Sequence, residues 1–229
     1  MGGAAVGLEA LLRWNHPRRG LIMPDAFIGI AEQTGAVREV TRYVVAEAVR
    51  QQFRWSNSGL KLPVAVNISA RDLQDDSFPR FVTEKLVESG VDASLLRFEI
   101  TERALMDNLD AAAQTLRALQ QIGIRVSLDD YGTGYATLTH ISQLPVSELK
   151  IDRSFVTDLT ADTRNFAIVL STVQMGHRLG MTVVAEGVET MAELDAVRES
   201  GCDEVQGYYF SKPMAAGEVQ QWMRQHKVA

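Results

Sequence analysis

Short apolar runs alternate with longer amphipathic stretches along most of the chain. Runs rich in β-branched residues predict seven strands, near 6–12, 62–69, 95–101, 125–130, 148–152, 182–187 and 204–209. Patterns with apolar residues every three or four positions predict helices between them, among them 38–53, 110–121, 165–179 and 191–200. Because such alternation is typical of parallel βαβ units, it predicts an α/β fold. That fold is either an open doubly wound sheet or a (β/α)8 barrel with one strand uncounted.

The two faces of the predicted strands differ in polarity. Residues two apart share a face of a strand, so Glu99 points away from the face that carries Phe98 and Ile100. Most of the other strands likewise carry a polar residue opposite an apolar face, in their C-terminal half. An open sheet gathers its ligand groups at one switch point, whereas a barrel can bring one residue from nearly every strand to a single mouth. The distribution over six or seven strands therefore favours the barrel.

The polar face predicts a metal site rich in carboxylates. The predicted inward residues are Glu9, Asn67, Glu99, Asp129, Asp130, Lys150, Glu186 and Gln206. Several carboxylates in one mouth of low dielectric repel one another unless they are protonated or bind cations. Oxygen ligands without a partnering His or Cys suit hard ions such as Mg²⁺ or Mn²⁺ better than zinc.

Asp129 and Asp130 are adjacent, and in a regular strand adjacent side chains face opposite ways. Both can reach one site only if the strand ends there, and the following Tyr131-Gly132-Thr133-Gly134 predicts such an end. A carboxylate between two ions, with its neighbour on the second ion, is a natural arrangement for a two-metal phosphodiesterase.

Composition narrows the class of partner and the compartment. The chain has 229 residues and a net charge of -6, which argues against binding a nucleic-acid polymer through a basic surface. No run approaches the roughly 18 apolar residues that span a bilayer, so no membrane segment is expected within this chain. One cysteine, Cys202, allows no internal disulfide, and the expected location is the cytoplasm.

Seven sequence blocks, in a fixed order, resemble the EAL-domain family of cyclic diguanylate (cyclic di-GMP) phosphodiesterases. They are GLEALLRW at 7–14, VAVNISA at 64–70, FEITE at 98–102, DDYGTGY at 129–135, LKIDRSF at 149–155, VAEGVE at 184–189 and QGYYF at 206–210. Glu-Ala-Leu alone recurs by chance in helices. The seven blocks together span nearly the whole chain and are specific.

The resemblance implies metal-binding roles for residues at the strand ends. The ligands of a first metal ion would be Glu9, Asn67, Glu99 and Asp129. The groups around a second ion and its water would be Asp129, Asp130 and Glu186. The family reaction is in-line attack by metal-activated hydroxide on one phosphodiester of cyclic diguanylate, giving linear pGpG. The expected cofactors are two Mg²⁺ or Mn²⁺ ions.

Further roles follow from the same resemblance. Lys150 would contact the attacking water and act with Glu186 and Asp130 in catalysis, and Arg13 would contact phosphate. Pocket residues nearer the substrate would be Asp152, Glu189 and Gln206. Glu102 would hold the loop after Asp130, which in the family links metal binding to the interface of a homodimer.

The chain departs from the family pattern in two places. Tyr131 stands where the family usually has Phe, which keeps the ring. Gly3 resembles the end of the turn that follows the family's first, antiparallel strand. We therefore expect residues 1–229 to form one EAL-type TIM-like barrel that lacks this strand and is incomplete at its N-terminus.

Three functions stay open on the sequence. An active phosphodiesterase is favoured because every matched ligand position is filled. A non-catalytic regulatory module that binds cyclic di-GMP would normally show a substituted ligand or lysine. An inactive fragment of such an enzyme would follow from the missing strand.

Overall fold

The computed structural model describes residues 4–132, 134, 138–157, 159 and 162–226. Gly3, Thr133 and Tyr135, which entered the family resemblance, lie outside these residues. The chain forms two compact units. Unit 1 contains Met1–Phe98, Asp110–Ile124 and Met214–Ala229. Unit 2 contains Glu99–Leu109 and Arg125–Pro213.

Strands and helices alternate along the described parts of the chain. The strands are β1 Leu8–Glu9, β2 Trp14–His16, β3 Gly20–Ile22, β4 Val64–Asn67, β5 Leu96–Thr101, β6 Arg125–Tyr131, β7 Glu148–Ile151, β8 Thr182–Ala185 and β9 Glu204–Val205. The α-helices are α1 Ile28–Thr34, α2 Val37–Asn57, α3 Ala70–Leu73, α4 Phe78–Ser89, α5 Glu102–Met106, α6 Leu109–Ile122, α7 Leu138–Gln143, α8 Arg153–Val156, α9 Thr163–Arg178, α10 Met191–Glu199 and α11 Ala216–Gln225. None of the helices in the described ranges is both long and apolar enough to cross a bilayer.

Unit 1 is organised around the long helix α2. One face of this helix is buried, and its residues recur at helical spacing: Val37, Thr41, Val45, Ala48, Val49, Gln52 and Trp55. Gln52 is the unexpected member of this face. Its Nε2 donates to the carbonyl oxygens of Leu62 at 2.6 Å and Leu95 at 2.8 Å, just before β4 and β5. A buried amide therefore ties the helix to the starts of two strands.

Two strand pairs complete the described pairing of unit 1. β1 pairs with β4 in parallel, with Leu8 opposite Val64 and Glu9 opposite Ala65. β2 and β3 form an antiparallel hairpin that the sequence did not predict. The hairpin strands have three residues each, which is too short for an alternating pattern to stand out.

In unit 2 the strands β6, β7, β8 and β9 pair in parallel in that order. The buried residues of β7 and β8 reflect a sheet covered on both faces, which is typical of parallel strands. The carboxyl ends of parallel strands lie at one edge, so residues just after β6, β7 and β8 are brought close together.

Each of the seven predicted strands overlaps an observed strand. Most observed strands are shorter than predicted, and β6 extends one residue further, to Tyr131. The predicted helices correspond to α2, α6, α9 and α10, with ends that differ by up to four residues. The predicted βα alternation is therefore confirmed.

Gly207 lies where the backbone after β9 touches the loop after β8. A Cβ added there would lie 2.7 Å from the Val188 carbonyl carbon and closer still to its carbonyl oxygen. Because the obstacle is backbone rather than a flexible side chain, Gly207→Ala should destabilise the protein by about 1–3 kcal/mol. Urea unfolding checks this as a lower midpoint with an unchanged slope.

Gly217→Ala is the matched control for Gly207→Ala. Gly217 lies in the first turn of α11, and nothing lies within 4 Å of its added Cβ. The substitution should leave stability unchanged or raise it by up to about 1 kcal/mol, because alanine favours helix. Equal midpoints for the two variants would contradict the steric argument.

Candidate functional site

Lys150 lies among carboxylates from three other segments of unit 2. Its side chain is 2% exposed, and its Nζ lies 2.8 Å from Glu99 Oε1 and 2.5 Å from Glu186 Oε1. Asp129 Oδ1 is 3.6 Å away. These side chains come from β5, from β6 and from the residue after β8. A buried ammonium is stable here because it neutralises carboxylates that would otherwise repel one another.

Three carboxylates of unit 2 can hold a metal ion. Asp129, Asp130 and Glu186 each offer an oxygen, and among the described residues these oxygens lie within 4.8 Å of one another. All three side chains are half-buried or nearly buried, which strengthens their attraction for a cation. A set of oxygens without nitrogen or sulfur suits a hard divalent ion.

The strand irregularity that brings Asp129 and Asp130 to one site lies at Asp130 itself. The pairing of β6 with β7 shifts register between Leu128 and Tyr131. Among residues of known position, Asp130 is the non-glycine residue with a positive φ, 54°. Aspartate tolerates this left-handed conformation better than most residues. The strand therefore does not end after Asp130 as predicted, because β6 continues to Tyr131, and an irregularity within the strand lies at Asp130 instead.

The pKa of Asp130 is raised above its ordinary value. Burial is the main cause, and the negative charges of Asp129, Asp152 and Glu102 add to it. The ammonium of Lys150 acts in the opposite direction. A carboxyl group with this surplus of negative neighbours gains free energy when a cation binds beside it.

Glu102 contacts the loop that follows β6. It begins α5 and is buried, and its Oε1 accepts a hydrogen bond from the backbone N–H of Gly132 at 3.0 Å. A Cβ on Gly132 would lie 2.7 Å from Phe155 Cε2, so the loop also passes close to the ring of α8. This geometry is the one expected of a loop-anchoring residue. The proposed link to a dimer interface stays a prediction.

The predicted residues of unit 1 also contact one another or their neighbours. Asn67 Nδ2 donates to Glu9 Oε1 at 2.9 Å, so the ends of β1 and β4 bring these two together. The Arg13 guanidinium donates to the Leu12 carbonyl at 2.8 Å. The predicted metal role of Glu9 and Asn67 and the phosphate role of Arg13 stay predictions.

The predicted substrate-pocket residues lie after β7, β8 and β9. Asp152 caps α8, accepting the Ser154 N–H at 3.0 Å. Glu189 is exposed and lines an open pocket of about 490 Å³. The other residues that line this pocket are Arg153, Ser154, Thr157, Asp162, Asn165 and Gly187. Gln206 joins the neighbouring loop through its backbone, donating to Ala185 O at 2.8 Å.

Sequence reasoning missed Glu193, which contacts the same loop. Its Oε2 accepts the backbone N–H groups of Glu189 at 2.8 Å and Thr190 at 2.9 Å. The sequence does carry a signal, since Thr190 and Glu193 have the spacing of a helix capping box. Ser69 and Asp72 form a second such box after β4.

Comparison with known families places the chain. The family model described as EAL domain matches residues 1–213. The chain belongs to the EAL domain family. The family assignment made from the seven sequence blocks is therefore confirmed.

Sequence alignments with curated relatives cover nearly all of this EAL chain. It is 40% identical over 221 residues to the cyclic di-GMP phosphodiesterase NbdA of Pseudomonas aeruginosa. It is 36% identical over 224 residues to the cyclic di-GMP phosphodiesterase PdeR of Escherichia coli. These alignments cover 96% and 98% of the chain, but only 28% and 34% of the respective relatives. The chain thus spans about a third or less of these two proteins.

A solved structure supports the fold. The PaMucR phosphodiesterase, determined in a complex with c-di-GMP, superposes with a TM-score of 0.90 at 39% sequence identity. The match covers 95% of this chain and 88% of that one. The predicted fold class, an α/β TIM-like fold of EAL type, is confirmed.

Proposed function

We propose that this EAL domain is a metal-dependent phosphodiesterase that hydrolyses cyclic di-GMP to linear pGpG. The observation that carries the proposal is Lys150, buried between Glu99 and Glu186 beside Asp129 and Asp130. The names of NbdA, PdeR and PaMucR support the same substrate. A module that only binds nucleotide would normally carry a substituted metal ligand or lysine, and here both Lys150 and the matched carboxylates are present.

We propose that the site holds two divalent ions, Mg²⁺ or Mn²⁺. Asp129, Asp130 and Glu186 would hold one of them, and Asp129 and Glu99 would contribute to the other. The assignment of Glu9 and Asn67 to the first ion rests on the family resemblance alone. Bound ions of this kind acidify water and offset charge that develops on phosphate oxygens.

The chain's own groups position the reactants. The Lys150 ammonium forms ion pairs with Glu99 and Glu186, which fix its position. From that position it would contact and orient the attacking water. Glu186 would accept the proton of that water, because it is a carboxylate at hydrogen-bonding distance from the same ammonium. Arg13, Asp152, Glu189 and Gln206 would bind the nucleotide.

Two further properties are proposals. A homodimer is supported by the Glu102–Gly132 contact, which fixes the loop that the family resemblance connects to the dimer interface. A cytoplasmic location is supported by the single cysteine.

The choice of metal ion provides the test of this function. Mn²⁺ and Mg²⁺ should support cleavage of cyclic di-GMP, whereas Ca²⁺ should bind without supporting it. Ca²⁺ prefers longer bonds and looser, higher coordination, which misplaces the attacking water for in-line displacement. Release of pGpG, followed by chromatography after the protein is stripped with EDTA and reloaded, measures the difference.

The binding of each ion is measured separately by its effect on thermal unfolding. Ca²⁺ that raises the melting temperature without turnover is the expected outcome. Equal rates with Ca²⁺ and Mn²⁺ would contradict the two-metal proposal. Nucleotide binding without cleavage under any of the three ions would favour the regulatory module.

A further inference from the structure

The loop 186–190, which follows β8, is held by two separate sets of hydrogen bonds. Its first half is fixed by the ends of the neighbouring strands. The N–H of Glu186 donates to Ile151 O at 3.1 Å, and the N–H of Val188 donates to Gln206 O at 3.1 Å. The Val188 carbonyl accepts the N–H of Tyr209 at 3.0 Å. Glu186 is therefore positioned by the sheet.

The second half of the loop is fixed by one carboxylate. Glu193 Oε2 accepts the N–H of Glu189 at 2.8 Å and the N–H of Thr190 at 2.9 Å. Thr190 Oγ1 in turn accepts the N–H of Glu193 at 3.2 Å. Glu193 is 9% exposed, so these charge-assisted bonds form largely out of water, where they are strong.

We infer that Glu193 is a positioning residue that fixes the backbone of Glu189 and so aims the Glu189 side chain into the substrate pocket. Glu189 is exposed and is one of the residues that line the pocket, together with Arg153 and Asn165. A carboxylate with no rigid backbone beneath it would sample several directions, and binding would have to restrict it. The inference rests on the proposed function, in which Glu189 contacts the cyclic dinucleotide.

The two sets of bonds predict which kinetic constant changes. Glu193→Ala removes the acceptor of two N–H groups but leaves the bonds of Glu186 and Val188 in place. The KM and the Kd for cyclic di-GMP should rise about tenfold, the equivalent of one lost hydrogen bond of upper-range strength. The kcat should change less than about twofold, and Mn²⁺ affinity should not change. Glu193→Gln should restore KM, because its amide oxygen can accept both N–H groups.

Glu218→Ala is the matched control. Glu218 occupies the same position in α11, where its Oε2 accepts the N–H of Ala215 at 3.0 Å. This variant should lose stability as a capping residue does while KM stays at the wild-type value. A KM that rises equally in Glu218→Ala and Glu193→Ala would overturn the inference, because the effect would then reflect general destabilisation.

A double-mutant cycle tests the route through Glu189. In a Glu189→Ala background, Glu193→Ala should raise KM no further. A second tenfold rise, or an unchanged KM in Glu193→Ala alone, would overturn the inference. If the alanine variant does not fold, Glu193→Asp shortens the same carboxylate by one methylene and should give the same direction of change.

Hydrogen exchange separates this inference from the proposed function. The amides of Glu189 and Thr190 should exchange faster in Glu193→Ala than in Glu218→Ala. Unchanged exchange would overturn the inference even if the enzyme is active. Wild-type protein that neither binds nor cleaves cyclic di-GMP would overturn the proposed function, while the exchange result still shows whether Glu193 anchors the loop.

Discussion

Lys150→Met is expected to lower turnover of cyclic di-GMP by at least about 100-fold, the lower end for a group that orients a transferred proton. Methionine keeps the length of the buried side chain and removes its charge. The variant should also lower the free energy of unfolding of the metal-free protein by about 3–5 kcal/mol. The reason is that Glu99, Asp129 and Glu186 would then be left together without the ammonium that neutralises them.

The stability effect should depend on metal. Bound Mn²⁺ supplies positive charge to the same carboxylates, so the variant should recover most of its stability when Mn²⁺ saturates the site. Urea unfolding in EDTA and in Mn²⁺ measures both values. Nucleotide affinity should stay near the wild-type value, because Lys150 is assigned to the attacking water rather than to the substrate.

Lys61→Met is the control for Lys150→Met. Lys61 is exposed, and its replacement should alter stability by no more than about 0.5 kcal/mol. Full turnover by Lys150→Met at saturating Mn²⁺ would remove Lys150 from the mechanism. Unchanged stability in EDTA would show that the carboxylates do not depend on the lysine for neutralisation.

Stretches of sequence with a sustained repeat could be predicted as helices or strands, and the hairpin β2–β3 could not. Helix α2 shows its buried face as a repeat over 21 residues, and the strands β5 and β6 alternate or persist for six and seven residues. The hairpin β2–β3 has three residues in each strand and no such repeat. The turn Pro17-Arg18-Arg19 between them, followed by Gly20 at the start of β3, carries the clearest local signal, and a single turn is a weak signal.

In the candidate site, too, some features could be predicted from the sequence and others could not. Polar residues on the inner faces could be predicted to converge, because strand alternation and parallel pairing fix where Glu99, Asp129, Lys150 and Glu186 lie. The conformation of Asp130 could not be predicted in the same way. Its φ of 54° coincides with a register shift in the pairing of β6 with β7, and such a shift is a property of two strands rather than of one.

For Lys150, the sequence predicts where the side chain lies but not which residues it contacts. Its place on the inner face followed from alternation, and its proposed contact with the attacking water followed from family resemblance. Its ion pairs with Glu99 and Glu186 are visible only in the tertiary structure, because they join side chains from separate segments. The pairing explains how so many carboxylates can lie together at the strand ends of a folded protein. The sequence predicted the repulsion between these carboxylates but did not identify Lys150 as the group that offsets it.

Asp129→Asn is expected to abolish the stabilisation that Mn²⁺ gives and to lower turnover by more than about 100-fold. Asp129 belongs to the Asp129–Asp130–Glu186 group and is proposed to serve both ions. Losses of 10–100-fold in metal affinity are typical of residues that only orient ligands, so removal of a ligand should cost more. Thermal melting across a Mn²⁺ titration measures the affinity, and pGpG release measures turnover.

The asparagine substitution preserves the local backbone, which makes its result specific. Asp129 Oδ1 accepts the N–H of Asp130 at 3.0 Å, and the amide oxygen of Asn can accept the same bond. Asp195→Asn is the control, since Asp195 is exposed and pairs at 3.5 Å with Arg198 on the surface of α10. Stabilisation by Mn²⁺ that is equal in Asp129→Asn, Asp195→Asn and wild type would place the metal elsewhere. Loss of turnover with unchanged Mn²⁺ affinity would instead show that Asp129 takes part in catalysis but is not a metal ligand. The reason is that removing the charge of a ligand must weaken the binding of the ion.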